Sequence, residues 1–379
     1  MSQSFSSPTL FYVSALCGDV SSKWYSPARL QRTIQVSRIF SNLCLSTIFV
    51  SSLSPDKCIN FQNKVYSLGV NTSFLFRYCY LFFSSVRFLY LCYKYKPGYI
   101  CIYNSRFPEF ILCILALFFY KATFVVEIED LPLARSQNSG LAGFLDFVST
   151  KVYSFLGLKF ISVSDSVSLF LNKTYGVKYS NIQVLPPSLT EDYLSTVSKR
   201  RKPFSDKTIK IMYAGGYSPE KGVEELVNCY LDIRKSLKAE LHLVGPISDK
   251  ISGMVLNYSD ILVYGTISRD ELLNNMLSVD VLVNPHRVDH KSAYIFPFKA
   301  IEMSASGCLF LTTRMPGIDK LGLHHECLVN SYSELSYKLL NSRILWNQNS
   351  SEMIVISKQI CYKYSTDYQS KTIRGFLID

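Results

Sequence analysis

Apolar positions along the chain fall into two rhythms. Short runs at Leu10–Leu16, Ser46–Ser52, Tyr99–Tyr103, Thr123–Ile128, Lys159–Ser164 and Asn181–Pro187 read as strands. Between them, Ala28–Leu43 spaces Leu30, Ile34, Ile39 and Leu43 as a helix does, and Ser164 or Asp165 caps a helix running to about Tyr175. The rhythm repeats further on, with strands at Ile209–Ala214, Ala239–Val244, Ile261–Tyr264, Val279–Pro285 and Cys308–Thr313. Helices are predicted at Pro219–Ile233 and Arg269–Ser278, and near the end at Tyr332–Leu345 and Ser351–Tyr364. Strands alternating with helices predict an α/β fold with parallel sheets. A polar, basic stretch separates the two series and carries Lys199, Arg200, Arg201 and Lys202. It reads as an exposed linker at 191–207, between a first domain at 1–190 and a second at 208–364, followed by a C-terminal segment at 365–379.

Composition sharpens this division. A chain of 379 residues, 48% hydrophobic and 18% charged, is long and apolar enough for two cores. Of the net charge of +11, residues 1–190 hold +9 (17 Lys+Arg less 8 Asp+Glu) and the remainder +2 (23 less 21). A basic first half suits an anionic partner: a phosphate-bearing substrate, acidic lipid or nucleic acid. Nucleic acid is the poorest of these, because no recognition element accompanies the basic residues. The 11 cysteines form no CxxC pair and read as reduced core thiols, with no metal site. No basic stretch precedes Thr9–Leu16, which therefore reads as a strand and not as a signal peptide. The aromatic runs Phe74–Tyr95 and Phe110–Tyr120 are too short or too charged to span a bilayer. They are either core-facing helices or helices lying in a membrane interface.

Candidate chemistry sits where strands end. In the first half these positions are Gly18 and Asp19, Arg106 after Asn104, and the carboxylates Glu127, Glu129 and Asp130. The carboxylates are either acceptor-binding or general-base groups, or caps of the next segment. Arg29, Arg32 and Arg38 line the first helix and either face an anion or are solvated. No GxGxxG follows the first strand, so no dinucleotide is announced. In the second half Gly215 and Gly216 allow close backbone approach to a ligand, and Lys221 adds a cation at a helix start. The stretch Asn284–Gly317 then runs strand, polar loop, helix with Lys299 and Glu302, and strand again. That βαβ order places its loop at a binding crevice.

The succession YAGGYSPEKGVEELV, LHLVGP, VYGTISRDELLNNMLSVDVLVNP, FPFKAIEMSASG and TTRMPG resembles the retaining GT-B glycosyltransferases of family 4. It is similar in particular to a bacterial subgroup with the signature NPR, SFPSK and EYMASG. The resemblance covers the second half; the first matches in pattern only, through VEIEDLP and SDSVSLFLNKTYGV. It implies two Rossmann-like domains facing a central cleft, with a C-terminal helix returning to the first. It also implies a donor site in which Glu302 binds the ribose hydroxyls, Tyr294, Ile295, Phe296, Pro297 and Lys299 lie against a diphosphate, and Thr266 and Ile267 pair with the base. Gly215, Gly216, Tyr217, Lys221 and Arg287 complete that site, and Gly18, Asp19, Arg106, Glu129 and Asp130 form the acceptor side. The chain departs from the family where Tyr294 replaces the first Glu of the E-x7-E pattern, and where Tyr217 replaces an Arg.

The expected activity is transfer of a sugar from a nucleotide-diphosphate sugar to a glycan or lipid-linked acceptor in cell-surface polysaccharide or lipopolysaccharide synthesis. The catalytic groups would be Lys221, Glu129 and Asp130, with no metal or cofactor, and the place a cytoplasmic membrane surface. The alternatives are a nucleotide-sugar 2-epimerase of the same fold and a non-catalytic protein on a membrane surface.

Overall fold

The computed structural model describes residues 9–14, 27–43, 46–51, 65–68, 77–104, 107–129, 140–198, 204, 207–288 and 298–378. The chain divides into two compact units. Unit 1 comprises Met1–Ser188 with Thr366–Asp379, and unit 2 comprises Leu189–Ser365.

Unit 1 is built on a parallel sheet of strands β1 (Thr9–Ser14), β2 (Ser46–Ser51), β3 (Val65–Ser67), β4 (Tyr99–Tyr103), β5 (Thr123–Ile128), β6 (Lys159–Ser162) and β7 (Ile182–Val184). Their spatial order is β3-β2-β1-β4-β5-β6-β7. The strands are buried on both faces, which is why they read as apolar runs and not as alternating patterns. Phe11, Val13, Ile100, Ile102, Phe124 and Val126 pack with Phe88, Leu91, Leu112, Cys113 and Tyr153 from the helices Arg77–Tyr95, Phe107–Phe119 and Leu141–Phe155. On the other face Leu10, Tyr12, Cys101, Tyr103 and Val125 meet Val36, Ile39 and Phe40 of the helix Pro27–Asn42, together with Ile373 and Leu377. Those last two belong to the helix Thr366–Ile378, which docks through Ser370 Oγ on the Ile39 carbonyl (3.2 Å) and Asp367 on Asn42 Nδ2 (3.0 Å).

Unit 2 repeats the plan with β8 (Ile209–Ala214), β9 (Ala239–Val244), β10 (Ile261–Gly265), β11 (Val281–Asn284), β12 (Leu309–Thr313) and β13 (Leu328–Val329). The order β10-β9-β8-β11-β12-β13 reverses direction between β8 and β11. Crevices for ligands form at such reversals, outside the carboxyl ends of the strands.

Several elements differ from the sequence reading. The stretch read as an exposed linker contains a helix, Glu191–Ser198, whose Tyr193 is buried in unit 2. Apolar Tyr193 and Leu194 supply the face that packs, and the neighbouring basic run hides this signal. The helix expected at Pro219–Ile233 is broken: Pro219–Lys221 is a 3-10 turn, and the helix starts at Val223. Gly222 stands between them at φ +68°, so Lys221 belongs to the turn and not to a helical first turn. The short β3 and β13 and the helices Leu141–Phe155, Asp249–Val255 and Pro316–Asp319 escaped the pattern. The described cysteines are free thiols, and five of them are buried.

Candidate functional site in the second unit

The loops after β8 and β11 meet at the reversal of the unit 2 sheet, and close backbone approach joins them. A Cβ added to Gly222 would lie 1.8 Å from the carbonyl oxygen of Pro285, so this left-handed position accepts no side chain. The Arg287 amide donates to the Glu220 carbonyl (2.9 Å), and the Tyr332 hydroxyl donates to the Pro285 carbonyl (3.1 Å). Gly245, at φ +134° after β9, is equally constrained, because its Cβ would lie 1.8 Å from the Gly215 carbonyl oxygen. Its amide donates to the Gly265 carbonyl (2.8 Å), and the Gly215 amide to the Val244 carbonyl (2.9 Å). Three adjacent strand ends are thus stripped of side chains.

Charged groups are arranged over this bare backbone. Lys221 Nζ lies 3.3 Å from His286 Nε2, and His286 Nδ1 lies 3.1 Å from the Arg287 carbonyl. An ammonium donates and a carbonyl accepts, so these contacts select the His286 tautomer with its proton on Nδ1. His286 is 2% exposed, and Thr313 Oγ1 donates to its carbonyl at 2.7 Å. Arg287 turns its side chain to Glu225, with Nε 2.5 Å from Oε1.

Glu302 is 7% exposed on the helix Phe298–Ala305, where both carboxylate oxygens accept from the guanidinium of Arg269. Arg269 opens the helix after β10, whose amino end is capped by Ser268. Lys299 stands one turn before Glu302, on the same helical side. Burial holds the Lys299 ammonium below its ordinary pKa, and Arg269 and Lys221 push in the same direction while Glu302 opposes them. Lys221, Arg269, Lys299 and Glu302 therefore share one electrostatic neighbourhood, although they come from loops after three different strands. It joins a paired carboxylate to three cations beside glycine backbone that a ligand can approach closely, an arrangement suited to a ligand with both hydroxyls and phosphate.

Comparison with known proteins agrees. Residues 208–341 match the family model for glycosyl transferases group 1. A glycosyltransferase from Rickettsia africae superposes with a TM-score of 0.70 at 17% identity, covering 98% of this chain and 98% of that one. HepE from Anabaena, solved with UDP and glucose, gives 0.67 at 11% identity, covering 98% and 99%. The lipopolysaccharide outer core galactosyltransferase WaaB gives 0.66 at 13%, covering 97% and 98%. The chain has the GT-B fold, and residues 208–341 are its glycosyltransferase domain. No curated protein sequence matches the chain.

Of the residues singled out in the glycosyltransferase domain, Gly215, Gly216, Tyr217, Lys221 and Arg287 lie on the two joined loops. The Tyr217 ring meets Tyr213 edge-on (5.8 Å between centroids). Thr266 and Ile267 follow β10, Thr266 exposed and Ile267 packed on the core. Tyr294, Ile295, Phe296 and Pro297 lie outside the described residues. Three residues of the site went unremarked in the sequence: His286, Arg269 and Tyr332. The Ser268 cap before Arg269 was the available signal for one; the other two acquire their places only when the loops meet.

In unit 1, Gly18, Asp19, Arg106 and Asp130 lie outside the described residues. Glu129 is half-buried, its carboxylate accepts from the Tyr103 hydroxyl, and its backbone amide donates to Asn104 Oδ1 (2.8 Å). Asn104 itself holds φ +59°, at the strand end beside β5. The carboxylate Glu127 has a different place: it is fully buried, 2.6 Å from Arg32 Nε and 2.7 Å from the Tyr12 hydroxyl. Arg32, read as facing either an anion or solvent, faces the buried Glu127 carboxylate and not a ligand. It is 0% exposed and spends its remaining donors on the carbonyls of Pro186 (3.0 Å) and Leu185 (2.6 Å). The pair is satisfied inside the core, while Arg38 is exposed on the same helix.

Proposed function

We propose that the chain is a retaining glycosyltransferase that moves a hexose-type sugar from a nucleotide-diphosphate sugar to a glycan or lipid-linked acceptor, in cell-surface polysaccharide or lipopolysaccharide synthesis at a cytoplasmic membrane surface. The observation that carries this reading is the convergence of Lys221, Lys299 and Glu302 over the glycine-bared ends of β8, β9 and β10. Glu302 accepts from the ribose hydroxyls, its two oxygens each taking one donor, and Arg269 yields its place to them. Lys221, Lys299 and loop amides oppose the charge that grows on the departing diphosphate, without a resident metal. In the front-face reaction the anomeric carbon–oxygen bond to phosphate breaks as the acceptor oxygen bonds on the same face. A phosphate oxygen takes the acceptor's proton, and Glu129 and Asp130 orient the acceptor. The structural neighbours, one solved with UDP and glucose and one a lipopolysaccharide outer core galactosyltransferase, support the donor and pathway classes.

The test is thermal unfolding against UDP, GDP, ADP and their sugars. A ligand bound only by the folded state raises Tm, by about 2.7 kcal/mol of added stability at a hundredfold excess over Kd. One nucleotide diphosphate is expected to raise Tm in the wild-type chain, and by about half as much or less in Glu302→Ala at the same concentration. No shift with any nucleotide would overturn the reading. Incubation of the matching nucleotide sugar without acceptor should leave its sugar configuration intact; inversion at C2 would make the chain an epimerase instead.

A further inference from the structure

The outward side of three unit 1 helices is more apolar than a folded surface in water ordinarily is. In Arg77–Tyr95, Phe82, Val86, Tyr90 and Tyr93 form one exposed stripe at helical spacing, with Phe83 beside it. Phe118 is 81% exposed at the end of Phe107–Phe119, next to exposed Phe119. Phe155 is 91% exposed at the end of Leu141–Phe155, which also shows Phe144. These helices lie side by side on one face of the sheet. The Tyr120 hydroxyl donates to the Leu89 carbonyl (3.0 Å), and the Thr123 amide donates to the Gly98 carbonyl (2.8 Å). The second bond sets the turns bearing Lys96 and Lys121 beside each other. All three helices lead into parallel strands, so Tyr93, Phe118, Phe119 and Phe155 gather at the same end of the sheet.

The charges on this face are predominantly positive, with the half-buried Asp146 of the third helix the exception. From Arg77 to Lys121 the sequence carries Arg77, Arg87, Lys94, Lys96, Arg106 and Lys121 against one carboxylate, Glu109, which is buried. Arg87, Lys94, Lys96, Lys121 and Lys151 are exposed among the aromatics. A second copy of the chain would set like charges against like if it used this face in a symmetric pair. Among the described residues no helix is long and apolar enough to cross a membrane. Rings with apolar bodies, ringed by long cationic stems, match a headgroup layer, where rings enter the acyl boundary and ammonium groups meet phosphate.

We propose that the outer face of the helices Arg77–Tyr95, Phe107–Phe119 and Leu141–Phe155 docks on a bilayer rich in anionic phospholipid. The proposal deepens the membrane-surface part of the function proposed above, yet it stands on residues remote in sequence from the nucleotide site. Exposed aromatics supply the apolar burial, and the cations select anionic over neutral lipid.

Sedimentation of the full chain with vesicles tests it, using phosphatidylcholine alone and phosphatidylcholine with about a third phosphatidylglycerol. Wild type is expected to pellet with the anionic vesicles at low salt and to be released at high salt. Neutralising Lys94, Lys96 and Lys121 to Gln should lower partitioning about fivefold for each charge, or about a hundredfold together. The triple variant Phe118→Ser, Phe119→Ser, Phe155→Ser should bind at least about tenfold more weakly and keep its salt dependence. Equal pelleting on neutral and anionic vesicles, no pelleting, or indifference to both sets of substitutions would overturn the proposal. So would a dimer, seen by light scattering, that the Phe substitutions dissociate. Because these positions are exposed, both variants should keep the wild-type Tm. Their Tm shift with nucleotide diphosphate reports the nucleotide site separately, so failure of one reading is distinguishable from failure of the other.

Discussion

The two units share one plan, a parallel sheet reversing at its first strand, and use charge in opposite ways. Unit 1 takes an arginine and a glutamate out of water, pairs them in the core, and leaves rings on its surface. Unit 2 exposes Tyr264, Tyr337 and Tyr362 but no Phe among its described residues, and it keeps charged side chains at the carboxyl ends of its strands, where Lys221, Arg269, Lys299 and Glu302 meet. Arg32 with Glu127 and Arg269 with Glu302 are both arginine–carboxylate pairs. The first is sealed, with neither side chain exposed, while in the second the arginine is 42% exposed. A sealed pair serves the fold, because no ligand reaches it; an open pair is available for exchange when a ligand offers better donors.

The largest expected effect breaks the sealed pair. Arg32→Met leaves Glu127 charged and unpaired in the core and should cost about 3–5 kcal/mol in urea unfolding. Adding Glu127→Leu should restore much of that loss, which removal of a merely surface charge would not do. Next is Gly222→Ala, where the left-handed backbone alone costs about 1–3 kcal/mol. The clash with Pro285 must also move the loop of Lys221, so nucleotide binding should weaken as well as Tm. Third, Glu302→Ala should raise the donor KM about tenfold or more, from the loss of charge-assisted hydrogen bonds. If stability fell as far as in Arg32→Met and donor KM stayed fixed, the contrast between the two pairs would collapse.

The smallest effect is one of pH. Lys299 titrates below its ordinary 10.5, with burial as the main cause. A diphosphate favours its charged form, so donor affinity should fall as pH rises through the lowered pKa, by at most about tenfold per pH unit for one proton. Stability moves the other way in the same window. The unfolded chain still holds the proton there that the folded chain has lost, so unfolding free energy rises with pH up to 10.5. Lys299→Met should flatten both slopes, read by calorimetry and by urea unfolding across alkaline pH.

The strands were legible because a parallel strand buried on both faces is an apolar run that few other elements imitate, as TFVVEI and LHLV illustrate. Short β3 and β13 were missed, because two or three residues carry no period. Lys221 and Glu302 stood out through the motifs around them. His286 and Tyr332 did not, since each matters through one contact made by a distant segment. Glu127 and Glu129 looked alike in the sequence, two residues apart. Residues two apart within a strand share a face, but β5 ends at Ile128: Glu127, inside the strand, reached the core pair with Arg32, while Glu129, past its end, turned to Tyr103 and Asn104.

By itself the sequence determined the class of fold, the basic and aromatic bias of the first half, and the glycine and lysine types of the second half's loops. These follow from local physics: hydrophobic period, turn chemistry and charge count. Tertiary structure alone decided which charges face water. Arg32 and Arg38 lie on one helix, and only the packing of Tyr12, Glu127 and the Leu185–Pro186 carbonyls around the first made it structural. It also decided that Gly222 must be glycine, because the Pro285 carbonyl that excludes a side chain arrives from a strand many residues away.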